Sequence, residues 1–219
     1  MNTRESDTGR FDALWRRCIG SPPAVAAGEV HAELCRCLGA PERRFHNLQH
    51  IRDCLTRFDE VAALLRDPDA VEVALWFHDA VYVPGDPENE QRSAEFFLAK
   101  SNGAKPAFRR RVCGLILATR HKRPTGGNDR SFIEDIDLAG FGAPWDEFMR
   151  QGDLLRQEFA AQTDAQYHAG QVFFLQRLKR RRWFFATDYF RGRYESKAQD
   201  NLDRLLTLLT AQGYRSAGV

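Results

Sequence analysis

Residues 48–65 read LQHIRDCLTRFDEVAALL, and their apolar side chains recur at intervals of three and four residues. The members of this stripe are Leu48, Ile51, Leu55, Phe58, Ala62 and Leu65. Such spacing places one apolar face of a helix against a core. The same period recurs along nearly the whole chain, and strict alternation of apolar and polar residues never lasts more than a few positions. We therefore expect an all-α fold, a single-domain bundle of about eight to ten helices.

Capping residues, prolines and glycines predict where several of these helices begin and end. We expect helix starts at Ser21 before Pro22, at Ser131 with Glu134 as a capping box, and at Thr163, and helix ends at Gly39, Asp67 and Gly213. Two loops rich in proline and glycine span residues 82–89 and 122–130. Each of these loops directly follows a predicted helix that carries a histidine.

The composition argues against several function classes. The chain has 219 residues, of which 43% are hydrophobic and 28% charged, the balance of a soluble globular protein. Its net charge of +2 does not favour nucleic acid or a membrane surface as a partner. No apolar run approaches the roughly 18 residues that span a bilayer, and five cysteines without CxxC spacing indicate a reducing cytoplasm. We expect one domain over residues 1–219 and no membrane partner.

One basic cluster raises the alternative of nucleic-acid binding. Residues 179–182 are basic and precede Trp183, Phe184 and Phe185, so charge and stacking occur together. These aromatic residues continue a helical stripe that contains Phe174 and Leu178. Packing into a core explains that pattern better, and we expect no nucleic-acid partner.

The first candidate site lies in FHNLQHIRD, residues 45–53, where His46 and His50 are four residues apart. On a helix, this spacing would place the two imidazoles one above the other, within reach of a common ligand. The alternative is a pair of polar residues at a helix start that bind nothing.

A second candidate site lies in ALWFHDAVY, residues 74–82, where His78 and Asp79 directly follow an apolar helical segment. A charged carboxylate carried into a core is costly unless it is paired or bound to a cation. Adjacent side chains diverge on a helix, but both can reach a large ion between helices. The alternative is that Asp79 only caps or ends the helix.

A third candidate is the acidic segment FIEDIDLAGFG, residues 132–142. We expect Glu134 to serve the helix cap and Asp135 to face solvent, which leaves Asp137 nearest to the buried stripe. The alternative is a solvated acidic face without a ligand.

A His, a His-Asp pair and a distant Asp, in this order on predicted helices, resemble the HD superfamily of metal-dependent phosphohydrolases. FHNLQHIRD is also similar to the signature of cyclic-nucleotide phosphodiesterases. More closely, the chain resembles a bacterial HD group without an assigned substrate. The shared segments are FHNLQH, WFHDAVY, NEQRSA, LILATRH, DIDLAGFG and residues 195–201, which span about residues 44–202. Phe45, where that motif has tyrosine, and the loop with Gly126 and Gly127 are departures.

The resemblance implies an HD-type helical domain that binds one or two divalent ions. The ligand set that it implies is His50, His78, Asp79 and Asp137, with Asp79 as the bridge between two ions. It implies His46 as the general acid. His121 would be a ligand of a second ion, or else a helix-terminal histidine favoured by the helix dipole. These ligand types are compatible with zinc, manganese, iron or cobalt, and with magnesium at a carboxylate-rich site.

Five more residues complete the sequence predictions. Glu90 is a candidate catalytic residue that orients a metal-bound water, or else a first-turn acid of its helix. Arg44, next to the His-Asn motif, and Asn47 are the predicted contacts with substrate phosphate. His31 and His168 lack comparable neighbours, so we expect structural or surface roles for both.

The sequence therefore predicts a hydrolase in which a metal-activated water attacks a small phosphorylated substrate, a phosphoester or a nucleotide. It specifies neither the metabolite nor the oligomeric state. The alternative from a different class is a metal-binding regulatory or scaffold module that keeps the ligands without turnover.

Overall fold

The computed structural model describes residues 3–20, 25–121 and 127–216, with side chains from residue 7 onward. Within these ranges no residue lies in a strand, and most residues belong to ten α-helices. The helices are α1 (Thr3–Ile19), α2 (Ala27–Leu38), α3 (Leu48–Val61), α4 (Pro68–Phe77), α5 (Asn89–Lys100), α6 (Pro106–Ile116), α7 (Asn128–Leu138), α8 (Trp145–Glu158), α9 (Asp164–Lys179) and α10 (Asp188–Ala211). Short 3₁₀ turns follow three of them, at Ala62–Leu64, Leu117–Arg120 and Ala139–Gly142. The prediction of an all-α fold is confirmed.

Backbone contacts divide the chain into two compact units, Met1–Glu134 and Asp135–Val219. Helix α7 begins in the first unit and ends in the second. The expectation of one domain over residues 1–219 stays a prediction.

Helix α4 is the most deeply buried element of the first unit. All residues from Ala70 to Phe77 are buried, as expected for a helical segment in which Glu72 is the one charged residue. It packs against α1, α3, α5 and α6. The Trp76 and Phe77 rings meet Phe11 and Trp15 of α1, at centroid distances of 5.4 and 5.8 Å. This packing fixes the end of α4, where the His-Asp pair follows.

The junction between α3 and α4 is set by Asp67 and Pro68. Asp67 Oδ1 accepts a hydrogen bond from the Ala70 amide at 3.1 Å, so Asp67 caps α4. Pro68 occupies the first helical position, where its missing N–H costs nothing. Asp67 was expected to end the preceding helix. Helix α3 instead ends at Val61, and Asp67 begins the next helix.

In the second unit, α10 packs against α9 and against the turn Ala139–Gly142. Phe184 and Phe185 are 1% and 0% exposed, which confirms that they pack into a core, whereas Trp183 is 49% exposed. Asn201 Nδ2 donates to the carbonyls of Phe141 and Ala143, both at 2.8 Å. The late segment around residues 195–201 thus anchors the turn after α7.

Several predicted helix boundaries are confirmed. Thr163 caps α9, forming a capping box with Gln166, and Gly39 follows the last residue of α2. Gly213, in the left-handed region at φ 90°, follows the end of α10. The predicted start at Ser21 and most of the loop 122–130 lie outside the described residues.

The predicted capping box at Ser131 and Glu134 is wrong, because α7 begins at Asn128. Asn128 Nδ2 donates to the Leu64 carbonyl at 2.8 Å. Asp129 accepts from the amides of residues 66 and 67. These contacts with a segment distant in sequence start the helix earlier and leave Glu134 inside it, 1% exposed.

Candidate metal centre

The histidines of FHNLQHIRD lie on either side of a helix start. Asn47 caps α3, and its Oδ1 accepts from the Gln49 and His50 amides at 2.8 and 3.4 Å. His50 is therefore in the first turn of α3 and His46 precedes the helix, so the expectation that both lie on one helix is wrong. Their ring centroids are 6.0 Å apart. The two imidazoles are neighbours because of the capping turn.

His78 and Asp79 follow directly on α4, as the sequence predicts. His78 is 1% exposed, and its Nδ1 lies 2.9 Å from the Leu75 carbonyl oxygen. A carbonyl can only accept, so Nδ1 carries a proton and donates it to Leu75. This bond directs Nε2 towards His50 and Asp79, as in metal-binding histidines, whose other ring nitrogen is usually held by a hydrogen bond.

Three potential ligand atoms converge between α3 and the end of α4. His78 Nε2 lies 3.3 Å from His50 Nε2. Asp79 Oδ2 lies 3.1 Å from His78 Nε2 and 3.6 Å from His50 Nε2. Asp79 Oδ2 is buried and faces the two imidazoles. Lone pairs that face one another at these distances repel unless a cation or a proton lies among them.

The electrostatics of Asp79 follow from this geometry. Burial alone would raise the pKa of its carboxyl group. The imidazoles of His78, His46 and His50 outweigh burial and hold the pKa of Asp79 below its usual range. The carboxylate is therefore ionised and available to a cation at neutral pH.

Cys54 extends the set of potential ligands. His50, Cys54 and His78 each offer one ligand atom, and these atoms lie within 4.8 Å of one another. Asp137 belongs to the second unit, and its role as a ligand stays a prediction. The cluster could hold a metal ion. Cys54 was missed in the sequence, although it stands one helical turn after His50, and its Sγ lies 3.7 Å from His50 Nε2. The His-x-x-x-Cys spacing on a buried stripe was the signal that could have found it.

Glu90 and His121 stand outside this ligand cluster. Glu90 lies in the first turn of α5, and burial raises the pKa of its carboxyl group, with the Asp79 charge adding to the effect. Arg120 Nε approaches Glu90 Oε2 at 3.5 Å. His121 is 7% exposed and holds a left-handed conformation at φ 49°, which is strained for a side-chain-bearing residue. Their roles in catalysis and in binding a second ion stay predictions.

The two predicted substrate contacts have different surroundings. Arg44 is exposed. The Asn47 side chain takes part in the helix cap through Oδ1, and its Nδ2 donates to the Arg44 carbonyl at 2.8 Å. Substrate binding by Arg44 and Asn47 stays a prediction. The neighbouring Arg43, which the sequence did not single out, lies against the backbone of the His-Asp segment.

Comparison of the chain with protein-family models, with curated proteins and with solved structures found no match. Among the described helices, none is long and apolar enough to cross a membrane. None of the five cysteines, all of which lie in the described ranges, forms a disulfide bond.

Proposed function

We propose that this protein is an HD-type phosphohydrolase whose activity depends on a divalent metal. One observation carries the proposal: His50 Nε2, His78 Nε2 and Asp79 Oδ2 converge, with distances between them of 3.1 to 3.6 Å. When these three atoms carry no proton between them they repel one another, and a metal ion would turn that repulsion into binding. The resemblance of the motif order to HD phosphohydrolases adds the reaction class.

His50, His78 and Asp79 would hold the ion, with Asp137 as a further ligand. Imidazole and carboxylate donors suit zinc, manganese, iron or cobalt. When bound, such an ion polarises a phosphoryl oxygen and lowers the pKa of a water to around 7. One or two ions would serve, and Glu90 would orient the attacking water.

His46 would donate a proton to the oxygen that leaves the phosphorus. Its ring is half-buried, stacked on Tyr82 at a centroid distance of 4.0 Å. This stacking restrains the plane of the imidazole. A restrained donor near the ligands is what protonation of a leaving group requires. The substrate class is a small phosphoester or a nucleotide, with Arg44 and Asn47 as proposed contacts.

The first test is hydrolysis of nucleotides and generic phosphoesters by metal-stripped protein reconstituted with zinc, manganese, cobalt or magnesium. We expect turnover of at least one phosphoester that depends on added metal and is lost in Asp79→Asn. Turnover that is independent of metal, or no turnover by fully metal-loaded protein, would contradict the proposal.

The second test separates His46 from the ligands by the choice of leaving group. His46→Ala should keep its metal and lose roughly 10²- to 10⁴-fold in rate on an alkyl phosphoester. The loss should be much smaller with a nitrophenyl phosphoester, because nitrophenolate leaves without a proton. Loss of metal, or equal rate losses on both substrates, would refute the assignment of His46 as the acid.

Cys54 favours a second candidate function, a metal-binding module without turnover. A thiolate beside two imidazoles and a carboxylate makes a four-ligand set, and closed sets of this type are typical of structural zinc sites. In the module, Cys54→Ser should lower zinc content. In the hydrolase, Cys54→Ser should keep both metal and activity, because Asp79 supplies the carboxylate ligand.

A further inference from the structure

The Arg43 guanidinium joins the two segments that carry the proposed chemistry. Its Nη1 donates to the Asp79 carbonyl at 2.5 Å and to the His46 carbonyl at 3.2 Å. Its Nη2 donates to the Ala80 carbonyl at 3.0 Å. A single guanidinium therefore binds the backbone carbonyls of Asp79, a proposed metal ligand, of Ala80, and of His46, the proposed general acid.

The segment that carries His46 has little regular structure of its own. It precedes α3 and consists of bends and turns. Asn47 N donates to the Phe45 carbonyl at 2.8 Å and Asn47 Nδ2 to the Arg44 carbonyl. These local bonds shape the turn, but they do not connect it to residues 78–80. The Arg43 side chain makes that connection.

Tyr82 supplies a second link between the same two segments. Its ring stacks on the His46 imidazole with an interplanar angle of 28°. The Arg43 Cζ lies 5.7 Å from the centroid of the Tyr82 ring, within the range of a cation–π contact. Arg43 thus acts on His46 twice, through its carbonyl oxygen and through the ring on which its imidazole rests.

We propose that Arg43 is a positioning residue, which holds His46 at the distance from the Asp79 turn that proton donation requires. This inference rests on the proposed function, because it assigns Arg43 to the leaving-group step. The planar fork is essential to the argument, since it serves three carbonyls at once. A lysine keeps the charge but offers one compact ammonium group, so it cannot reproduce this arrangement.

The test compares Arg43→Lys with Arg36→Lys, a matched change at an exposed position of α2. Arg43→Lys should lower kcat on an alkyl phosphoester by about 10- to 100-fold, the cost of a misplaced catalytic group. Its kcat on a nitrophenyl phosphoester, its KM and its metal content should stay close to those of the wild type. Arg36→Lys should change none of these quantities.

Equal losses of kcat on the two esters, loss of metal, or an unchanged rate on the alkyl ester would overturn the inference. A second measurement is independent of turnover. The His46 ring-proton signal, assigned by its absence in His46→Ala, should shift in the NMR spectrum of Arg43→Lys as the contact with Tyr82 changes. An unshifted signal overturns the inference.

Failure of the proposed function is distinguishable from failure of this inference. If the metal-loaded wild type hydrolyses no phosphoester, the proposed function fails and the NMR comparison alone decides the role of Arg43. A shifted His46 signal in Arg43→Lys, with no shift in Arg36→Lys, then still supports the positioning role.

Discussion

Asp135 and Asp79 are two carboxylates, one buried and one 13% exposed, with different surroundings. Asp135 is 2% exposed and accepts hydrogen bonds from the amides of Ala186 and Thr187, both at 2.8 Å, and from Thr187 Oγ1 at 2.7 Å. Asp79 Oδ2 faces two imidazole nitrogens, at 3.1 and 3.6 Å. The hydrogen bonds of Asp135 come from fixed backbone and hydroxyl donors, whereas the groups that face Asp79 are themselves potential metal ligands.

We propose that the difference separates a structural acid from a metal-binding one. Burying a charge is costly, and donors aimed at the carboxylate offset that cost. Asp135 meets this condition and anchors the chain before α10. Asp79 faces imidazoles instead of amides, and we propose that a metal ion completes its surroundings. The same substitution made at Asp79 and at Asp135 should therefore have different effects.

The largest expected effect is on turnover. Asp79→Asn should lower the rate of phosphoester hydrolysis by more than about 100-fold, because loss of an outer-shell partner alone costs about 10- to 100-fold. Asp135→Asn, the matched change, should leave the rate per folded molecule close to that of the wild type. The hydrolysis rates of the two variants are compared after each is divided by the folded fraction of the protein. Similar rate losses in both variants would contradict the different roles proposed for Asp79 and Asp135.

The next effect is on stability, and there the order reverses. Asp135→Ala removes three hydrogen bonds to a charged acceptor, each worth about 1.5–3 kcal/mol. Since such contributions are not additive, we expect a total loss of about 3 kcal/mol in the free energy of unfolding. Asp79→Ala should cost metal-free protein much less. Urea unfolding of both variants measures this, and a greater loss in Asp79→Ala would contradict the assignment.

Removal of the metal should lower the free energy of unfolding by an amount similar to, or smaller than, that of Asp135→Ala. A ligand that binds only the folded protein adds about 2.7 kcal/mol at a free concentration of 100 Kd. Chelation should therefore lower the Tm of the wild type and leave the Tm of Asp79→Asn unchanged. Identical Tm values with and without metal in the wild type would indicate that Asp79 is stable without a cation.

Glu72 offers a third case with the smallest expected effect. Its carboxylate is buried and accepts one hydrogen bond, from Arg10 Nε at 2.6 Å. Burial raises the pKa of Glu72 despite this partner. The contribution of Glu72 is thus favourable below its ordinary pKa and is lost as pH rises through the raised pKa. Relative to Glu72→Gln, the free energy of unfolding should fall over that range. Parallel pH profiles of the two proteins would contradict this.

The fold could be predicted because the helical period is local and strong. The continuous apolar segment of α4 predicted a buried helix, and its end correctly carried His78 and Asp79. The start of α7 could not be found in the same way. It depends on Asn128 and Asp129, which contact residues 64–67. A pattern of neighbouring residues cannot predict contacts between segments so far apart in the sequence.

The candidate site was predictable only where residue type reveals chemistry. His50, His78 and Asp79 are conspicuous in the sequence as potential ligands. Asp135 was expected to face solvent, and that expectation is wrong. The amides that donate to its carboxylate lie some 50 positions away in the chain, so the local sequence does not reveal them. Arg43 was missed because its partners are backbone carbonyls, which every residue possesses.

The central claim is that Asp79 and its two histidines bind a metal ion, and metal content tests it most directly. Wild type, Asp79→Asn and Asp135→Asn should be purified without a metal-binding tag, incubated with zinc or manganese, desalted and analysed by elemental mass spectrometry. The account predicts at least one ion per chain in the wild type and in Asp135→Asn, and a large loss in Asp79→Asn. Folded wild type that retains no metal, or Asp79→Asn that retains as much as the wild type, would contradict it.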